Sequence, residues 1–239
     1  MVTVRGMSYA SDLTDDQWDL MEPVFNAPGK RGRKHADDLR TVVDAMLYIA
    51  QTGCQWRYLP ESFGPWTRVW SQLRRCSNGG FTFHDRGGPY GRTKGAKRVV
   101  AVDVTGLPVG ALVVPASTHE NRASELMLKH LTRQGVTDRL ELVLVDRGVT
   151  AAAARALGRD HDLEVRRVGW DDKQPVFRPI RHAWRVEVAH GRLGRSRRLA
   201  KSFENTTTSA TGWLQVACIA TTLRHLSRGP VRRPAALAA

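Results

Sequence analysis

The chain has 239 residues, 41% hydrophobic and 25% charged, a balance that supports a sizeable core and excludes a disordered chain. Its formal net charge of +14 points to a polyanionic partner, most often nucleic acid and less often an acidic membrane surface. No apolar run approaches the roughly 18 residues of a membrane span, and Met1 to Ala10 hold no apolar signal core. Cys54, Cys76 and Cys218 lack zinc or disulfide spacing, so the expected location is a reducing cytoplasm, near the nucleoid.

The first predicted helix opens at Thr14, with Gln17 completing a capping box and Leu13 and Trp18 placed for a hydrophobic staple. It should end before Pro28-Gly29. A second helix is predicted from about Asp37 to Thr52, with one apolar face and Gly53 as its stop. Pro65 sits in the first turn of a third, whose apolar face is Trp66, Val69, Trp70 and Leu73. Arg68, Gln72 and Arg75 fall on its other face. Three short helices with a basic last face suit a helix-turn-helix arrangement that contacts DNA through those residues. A plain helical subdomain with a cationic surface suits the same pattern. Arg31-Gly-Arg33-Lys34 reads either as a minor-groove arm or as a basic linker.

Ser77 to Gly80 and Gly87-Gly88-Pro89 interrupt the helical pattern, and an α/β pattern follows. Val99 to Val104 and Val109 to Val114 are predicted strands joined in a hairpin at Gly106-Leu107-Pro108. Then come a helix over 121–134, a buried strand over 140–146, an Ala-rich helix over 150–157 and a strand over 163–168. The segment 184–199 should be largely helical despite Gly191 and Gly194, and 211–226 a clear apolar helix.

The candidate site rests on acids. Arg178 to Lys201 carries eight Lys or Arg and one carboxylate, Glu187. A lone acid among cations fits a metal ligand set in a phosphate-attracting surface, and it fits equally a solvated helix in which Glu pairs with Arg. Asp146 ends the predicted buried strand before Arg147-Gly148, a common place for a catalytic carboxylate in α/β proteins. Asp103 lies on the first strand of the hairpin. If Val102 and Val104 face the core, Asp103 faces the other side of the sheet. Such carboxylates can hold two Mg²⁺ or Mn²⁺ ions for phosphodiester chemistry. Lys94, Lys97 and Arg98, and further on Arg195, Arg197 and Arg198, are candidate phosphate contacts. The scattered histidines, His119, His130, His161 and His190 among them, read as surface or DNA-facing, and Trp170 to Lys173 as a turn.

Several segments resemble bacterial insertion-sequence transposases of the DDE type. They include Leu13 to Trp18, Arg31 to Arg33, Thr52 to Arg57, Leu59-Pro60, Phe63 to Trp66, Lys94 to Arg98, Val102 to Gly106, Val145 to Gly148, Trp184 to Glu187 and Arg195 to Leu199. The resemblance implies an α/β fold: an RNase H-like mixed sheet with flanking helices, preceded by a small helix-turn-helix-like domain. The implied division is 1–76 for DNA binding, 77–228 for catalysis and 229–239 as a tail. Implied too are binding to the terminal inverted repeats of an element, a possible homodimer, and Mg²⁺-dependent cleavage and strand transfer.

The family's second catalytic Asp maps onto Asp146 and its Glu onto Glu187, which makes these the implied metal ligands. The first Asp has no clean counterpart. In these enzymes it ends a strand several tens of residues beyond the Trp-rich helix, but here Ser77 to Gly80 follows Arg75 and Cys76 at once. Asp103 resembles the family's second-strand Asp, and Asp85 is a weak stand-in. The resemblance therefore implies an internal deletion that removed the first strand and its acid, leaving either an impaired transposase or a non-catalytic DNA-binding remnant that represses its element.

Overall fold

Residues 9–25, 38–76, 95–168, 184–201 and 203–227 are described in the computed structural model. Arg31 to Lys34, Asp85, Lys94, Trp170 to Lys173 and residues 178–183 lie outside them, as does the side chain of Arg75.

The capping box forms in both directions. Gln17 N–H donates to Thr14 Oγ1 at 3.3 Å and Thr14 N–H to Gln17 Oε1 at 3.1 Å, opening α1 (Asp15–Phe25). Asp38 caps α2 (Leu39–Thr52) by accepting from Thr41 N–H at 3.3 Å, and Gly53 closes it at φ 69°. Ten residues of α2 are buried, far beyond one face, because α1, α3, the C-terminal helix and a 3-10 turn all pack on it. Its buried Asp44 accepts from Leu13 N–H at 2.8 Å and anchors the entry to α1.

The third helix, α3 (Trp66–Cys76), buries Val69 and Leu73 as predicted, but its polar face is not the predicted one. Gln72 is only 1% exposed, whereas Trp70 is 40% exposed with the Arg74 guanidinium 4.9 Å from its ring centroid. Because α3 packs on both α2 and the C-terminal helix, its buried arc widens to include position 72.

Strands β1 (Ala96–Val102) and β2 (Pro108–Pro115) form the predicted antiparallel hairpin, with an irregularity between Ala101 and Val102. Strand β1 stops two residues earlier than predicted, so Val104 is 75% exposed and Asp103 belongs to the turn. Next come α4 (Glu120–Arg133), β3 (Leu142–Asp146), α5 (Ala151–His161) and β4 (Glu164–Val168). Strands β3 and β4 pair in parallel, Leu142 opposite Glu164 through Asp146 opposite Val168. Strand β3 was predicted to be buried, yet Leu142 and Asp146 are exposed and the rest half-buried, since among the described residues β4 is its one partner.

Helix α6 (Trp184–Leu193) is shorter than predicted. Gly194 N–H returns to the His190 carbonyl at 2.9 Å, and the chain passes into a 3-10 turn at Arg197–Leu199. Helix α7 (Thr207–Leu226) begins four residues earlier than predicted because Thr206 Oγ1 accepts from Ser209 N–H at 3.1 Å. No described helix is long and apolar enough to cross a membrane.

Two hydrophobic clusters sit on opposite faces of the hairpin. One joins α1, α2 and α3 through Trp213 and Leu214 of α7 and Leu193 of α6 to Val100, Ala111 and Val113. It runs without a break across the expected boundary at residue 76. The other sets Met127, Leu128 and Leu131 of α4 and Leu157 of α5 against Val99 and Leu112 of the hairpin and Val143 and Val165 of the parallel pair. Helix α4 lies on the hairpin and α5 on β4, and the two helices pack on each other, so one cluster covers both pairs of strands. The outer edge of β2 is closed by α7: Val113 N–H donates to Thr211 Oγ1 at 2.9 Å, and Gln215 Nε2 donates to the Ala111 carbonyl at 3.3 Å.

Gly53 joins the helical layer to the rest of the chain. A Cβ there would lie 3.1 Å from the Arg197 carbonyl carbon, on a backbone already in the left-handed region. Replacing Gly53 by Ala should lower stability by about 1–2 kcal/mol, the usual cost of that conformation for an L side chain. Urea denaturation should show a lower midpoint with an unchanged slope.

Candidate active site

Asp146 is exposed at the carboxyl end of β3, at a tight turn. Its Oδ1 accepts from Arg147 N–H at 2.6 Å, and Val149 N–H closes the turn onto the Asp146 carbonyl at 3.0 Å. Arg167 of β4 donates to the Arg147 carbonyl at 2.9 Å. The turn is docked on the start of α4 by a reciprocal pair. Thr150 N–H donates to Asn121 Oδ1 at 2.9 Å, and Asn121 Nδ2 donates to Thr150 Oγ1 at 3.2 Å.

Gly148 lets Glu120 approach this turn: a Cβ at 148 would stand 2.8 Å from Glu120 Cγ. Glu120 is paired with Lys97 of β1 at 2.7 Å, and Lys97 also donates to the Thr118 carbonyl at 2.7 Å. The Lys97 hydrogen bond holds the Glu120 carboxyl below the usual carboxylate range, against partial burial. An acid beside the Asp146 turn is not legible in the sequence, which predicts a helix start at Asn121. His119, whose Nδ1 accepts from Asn121 N–H at 3.2 Å, is the cap that moves the start to Glu120.

Asp103 has a different occupation. Its Oδ1 accepts from Thr105 N–H at 2.8 Å, Thr105 Oγ1 at 2.6 Å and Leu107 N–H at 2.9 Å, so it organises the hairpin turn. Burial pushes its pKa up, but the hydrogen bonds from Thr105, Leu107 and Gly106 outweigh that, and the net direction is down.

Glu187 is exposed in the first turn of α6. That helix packs chiefly on β1 and α7, and its Arg185 lies against Gly106, 3.7 Å from where a Cβ would stand. The start of α6 therefore sits beside the Asp103 turn. Lys97, with Glu120 and the Asp146 turn, lies at the other end of β1, about 20 Å away at the rise of an extended strand. The structure gathers Asp146 with Glu120, and Asp103 with the beginning of the helix that carries Glu187. Among the described residues no three His, Cys, Asp or Glu side chains converge as a metal site.

The basic residues divide in the same way. Arg195 and Arg197 are exposed and Arg68 half-buried, while Gln72 is in the core and faces no ligand. Arg198 was predicted as a phosphate contact but is 8% exposed. It pairs with Glu204, and its guanidinium lies 5.1 Å from the Trp213 ring centroid, 5.3 Å from Phe203 and 5.8 Å from Trp56. Its role is to hold the core together, because a buried cation stays charged only where an acid and aromatic faces replace its water. Arg98 donates to the Leu199 carbonyl, and burial pushes its pKa down. His119 is exposed and caps α4, and burial, aided by Arg133, pushes the pKa of the half-buried His130 down.

Family comparison places the chain. Residues 70–223 match the model described as "Transposase DDE domain", and residues 13–83 match one described as "Putative transposase of IS4/5 family". The chain belongs to the DDE transposases of insertion sequences. Neither the curated proteins nor the solved structures contain a match. Members of this family depend in general on a divalent metal. In this transposase the mixed helices and strands agree with an α/β protein.

Asp103 gives a pH test. Its folded pKa is depressed, so the stability it contributes is present above the unfolded value of about 3.9 and is lost as pH falls through the folded value. Wild type should be more stable than Asp103→Asn near pH 7. The gap, followed by urea midpoints, should shrink only below about pH 4. A gap unchanged at low pH would remove the ionised carboxylate from the turn.

Proposed function

We propose that this transposase is an internally deleted form that binds the terminal inverted repeats of its element and is defective in cleavage and strand transfer. The observation that carries the reading is the division of the strands. An antiparallel pair and a parallel pair lie under one helical cluster, α4 on the first and α5 on the second, with no ladder between them among the described residues. Parallel strands are found almost only inside larger covered sheets, so an isolated parallel pair is an unusual product of an intact domain.

The register supports this reading. The Arg98–Val113 and Val100–Ala111 pairs direct their backbone groups outward, as the bonds from Ala111 and Val113 to α7 indicate. The corresponding groups of Arg98 and Val100 point to the opposite edge of β1. One strand between that edge and the parallel pair would join all the strands into a mixed sheet of the RNase H-like kind. The missing piece is then the strand that carries the first catalytic Asp, lost between α3 and β1.

In this reading Asp146 and Glu187 are the remaining members of the family's catalytic set, which in a complete enzyme would hold Mg²⁺ or Mn²⁺. The metal, when bound by a complete set, supplies an activated nucleophile and a stabilised leaving oxygen. Losing one member of such a set removes most of the rate. Helices α1 to α3, residues 1–76, form the DNA-binding region and 77–228 the remainder of the catalytic region, sharing one core. The +14 charge supports a polyanionic partner and a nucleoid location in the cytoplasm. Occupying the element ends as a homodimer without cutting them, the protein would act as a repressor of its own element.

Two measurements test this. Affinity for duplex DNA should fall linearly on a log–log plot against salt, with a slope of about −0.9 for each phosphate neutralised, and Arg197→Ala should weaken binding to all sequences alike. Affinity unchanged between low and moderate salt would count against DNA binding. Cleavage of element ends with Mg²⁺ or Mn²⁺ should be absent. Robust cutting that disappears in Asp103→Ala would overturn the deletion reading and give Asp103 the missing role.

A further inference from the structure

A cavity of about 390 Å³ opens between β1, α6, the 3-10 turn and the start of α7. Its charged lining is Arg98, His190, Arg198, Lys201 and Glu204, and its apolar wall includes Trp213. Glu204 is already engaged: Oε1 accepts from Arg198 Nε at 3.1 Å, and Oε2 accepts from the Ser209 hydroxyl. The single acid of the lining is therefore neutralised by a cation fixed in the core. Arg98 and Lys201 remain, and neither forms an ion pair among the described residues. Arg98 is held in place by its bond to the Leu199 carbonyl, so its fork is oriented before any ligand arrives.

A concave site with two cations that pair with no described acid, one a preoriented guanidinium, suits a tetrahedral dianion or a phosphodiester. The volume admits on the order of ten waters, room for a phosphate with part of its hydration shell. We propose that this cavity binds a backbone phosphate of DNA, with Arg98 and Lys201 as its anchors. The proposal rests on the DNA-binding reading above, and it adds a fixed phosphate contact on the far side of β1 from α4. Neither Lys201 nor the cavity was singled out by the sequence.

Calorimetric titration of the full chain with inorganic phosphate tests the site without DNA. Wild type should bind, and Lys201→Ala and Arg98→Ala should each weaken binding about tenfold. Arg166→Ala, which removes an equal charge from exposed β4, should leave it unchanged. Lys201 is exposed, so its variant guards against a folding defect in Arg98→Ala. Absence of phosphate binding, or equal loss in all three variants, overturns the site. In a second arm, Lys201→Ala should lower affinity for a short duplex and reduce the salt slope by about 1. Phosphate binding with DNA affinity unaffected by Lys201→Ala overturns the assignment to DNA. If wild type binds phosphate but no DNA at all, the DNA-binding reading fails while the anion site stands.

Discussion

Helix α7 is the constraint on which the rest depends. Ten of its twenty residues are buried, and its apolar side chains are spread round the axis, so it cannot lie on a surface. It must be enclosed, and two layers enclose it: α2 and α3 on one side, β2 on the other. Trp213 is the centre of this arrangement, 1% exposed, next to Trp56 at 5.6 Å between centroids. The arrangement fuses the helical region to the hairpin, and this explains why one cluster crosses residue 76 although the sequence changes character there.

The Arg198–Glu204 pair follows from the same packing. Because α7 starts at Thr207, capped by Thr206, the chain has few residues in which to turn from α6 to α7, and the turn runs over the tryptophans. A cation in that position is kept by Glu204 and by the ring faces of Trp56, Phe203 and Trp213. Removing either partner would strand the other in low dielectric, the costly way to break such a pair. The basic stretch that reads as one phosphate-binding surface is thereby divided into a structural Arg198 and an exposed Arg195, Arg197 and Lys201.

The other half of the molecule is held more lightly. Four residues of α4 and α5 form the buried centre under which both strand pairs lie. Strand β3 is at best half-buried, and both Asp146 and Glu187 are exposed. An acid in water keeps its charge at little cost but has no preset geometry toward a second acid, whereas catalysis by carboxylates needs ligands fixed before the metal arrives. A crowded helical layer thus contrasts with a thinly covered sheet among the described residues.

The sequence by itself determined the local features. The Thr14–Gln17 box, the Gly53 stop, the hairpin at Gly106 to Pro108 and the Asp146 turn depend on contacts within a few residues, and the family motifs were readable because they are contiguous. Tertiary structure decided what each residue faces. Gln72 is in the core because α3 has two neighbours. Asp103 serves a turn because β1 stops at Val102, and Arg198 is buried because α7 brings Trp213 beneath it. The pairing of Glu120 with the Asp146 turn, and of Arg98 with Lys201 in one cavity, joins residues more than twenty positions apart. No periodicity reports such pairings, since they arise only when separate elements are packed on a common core.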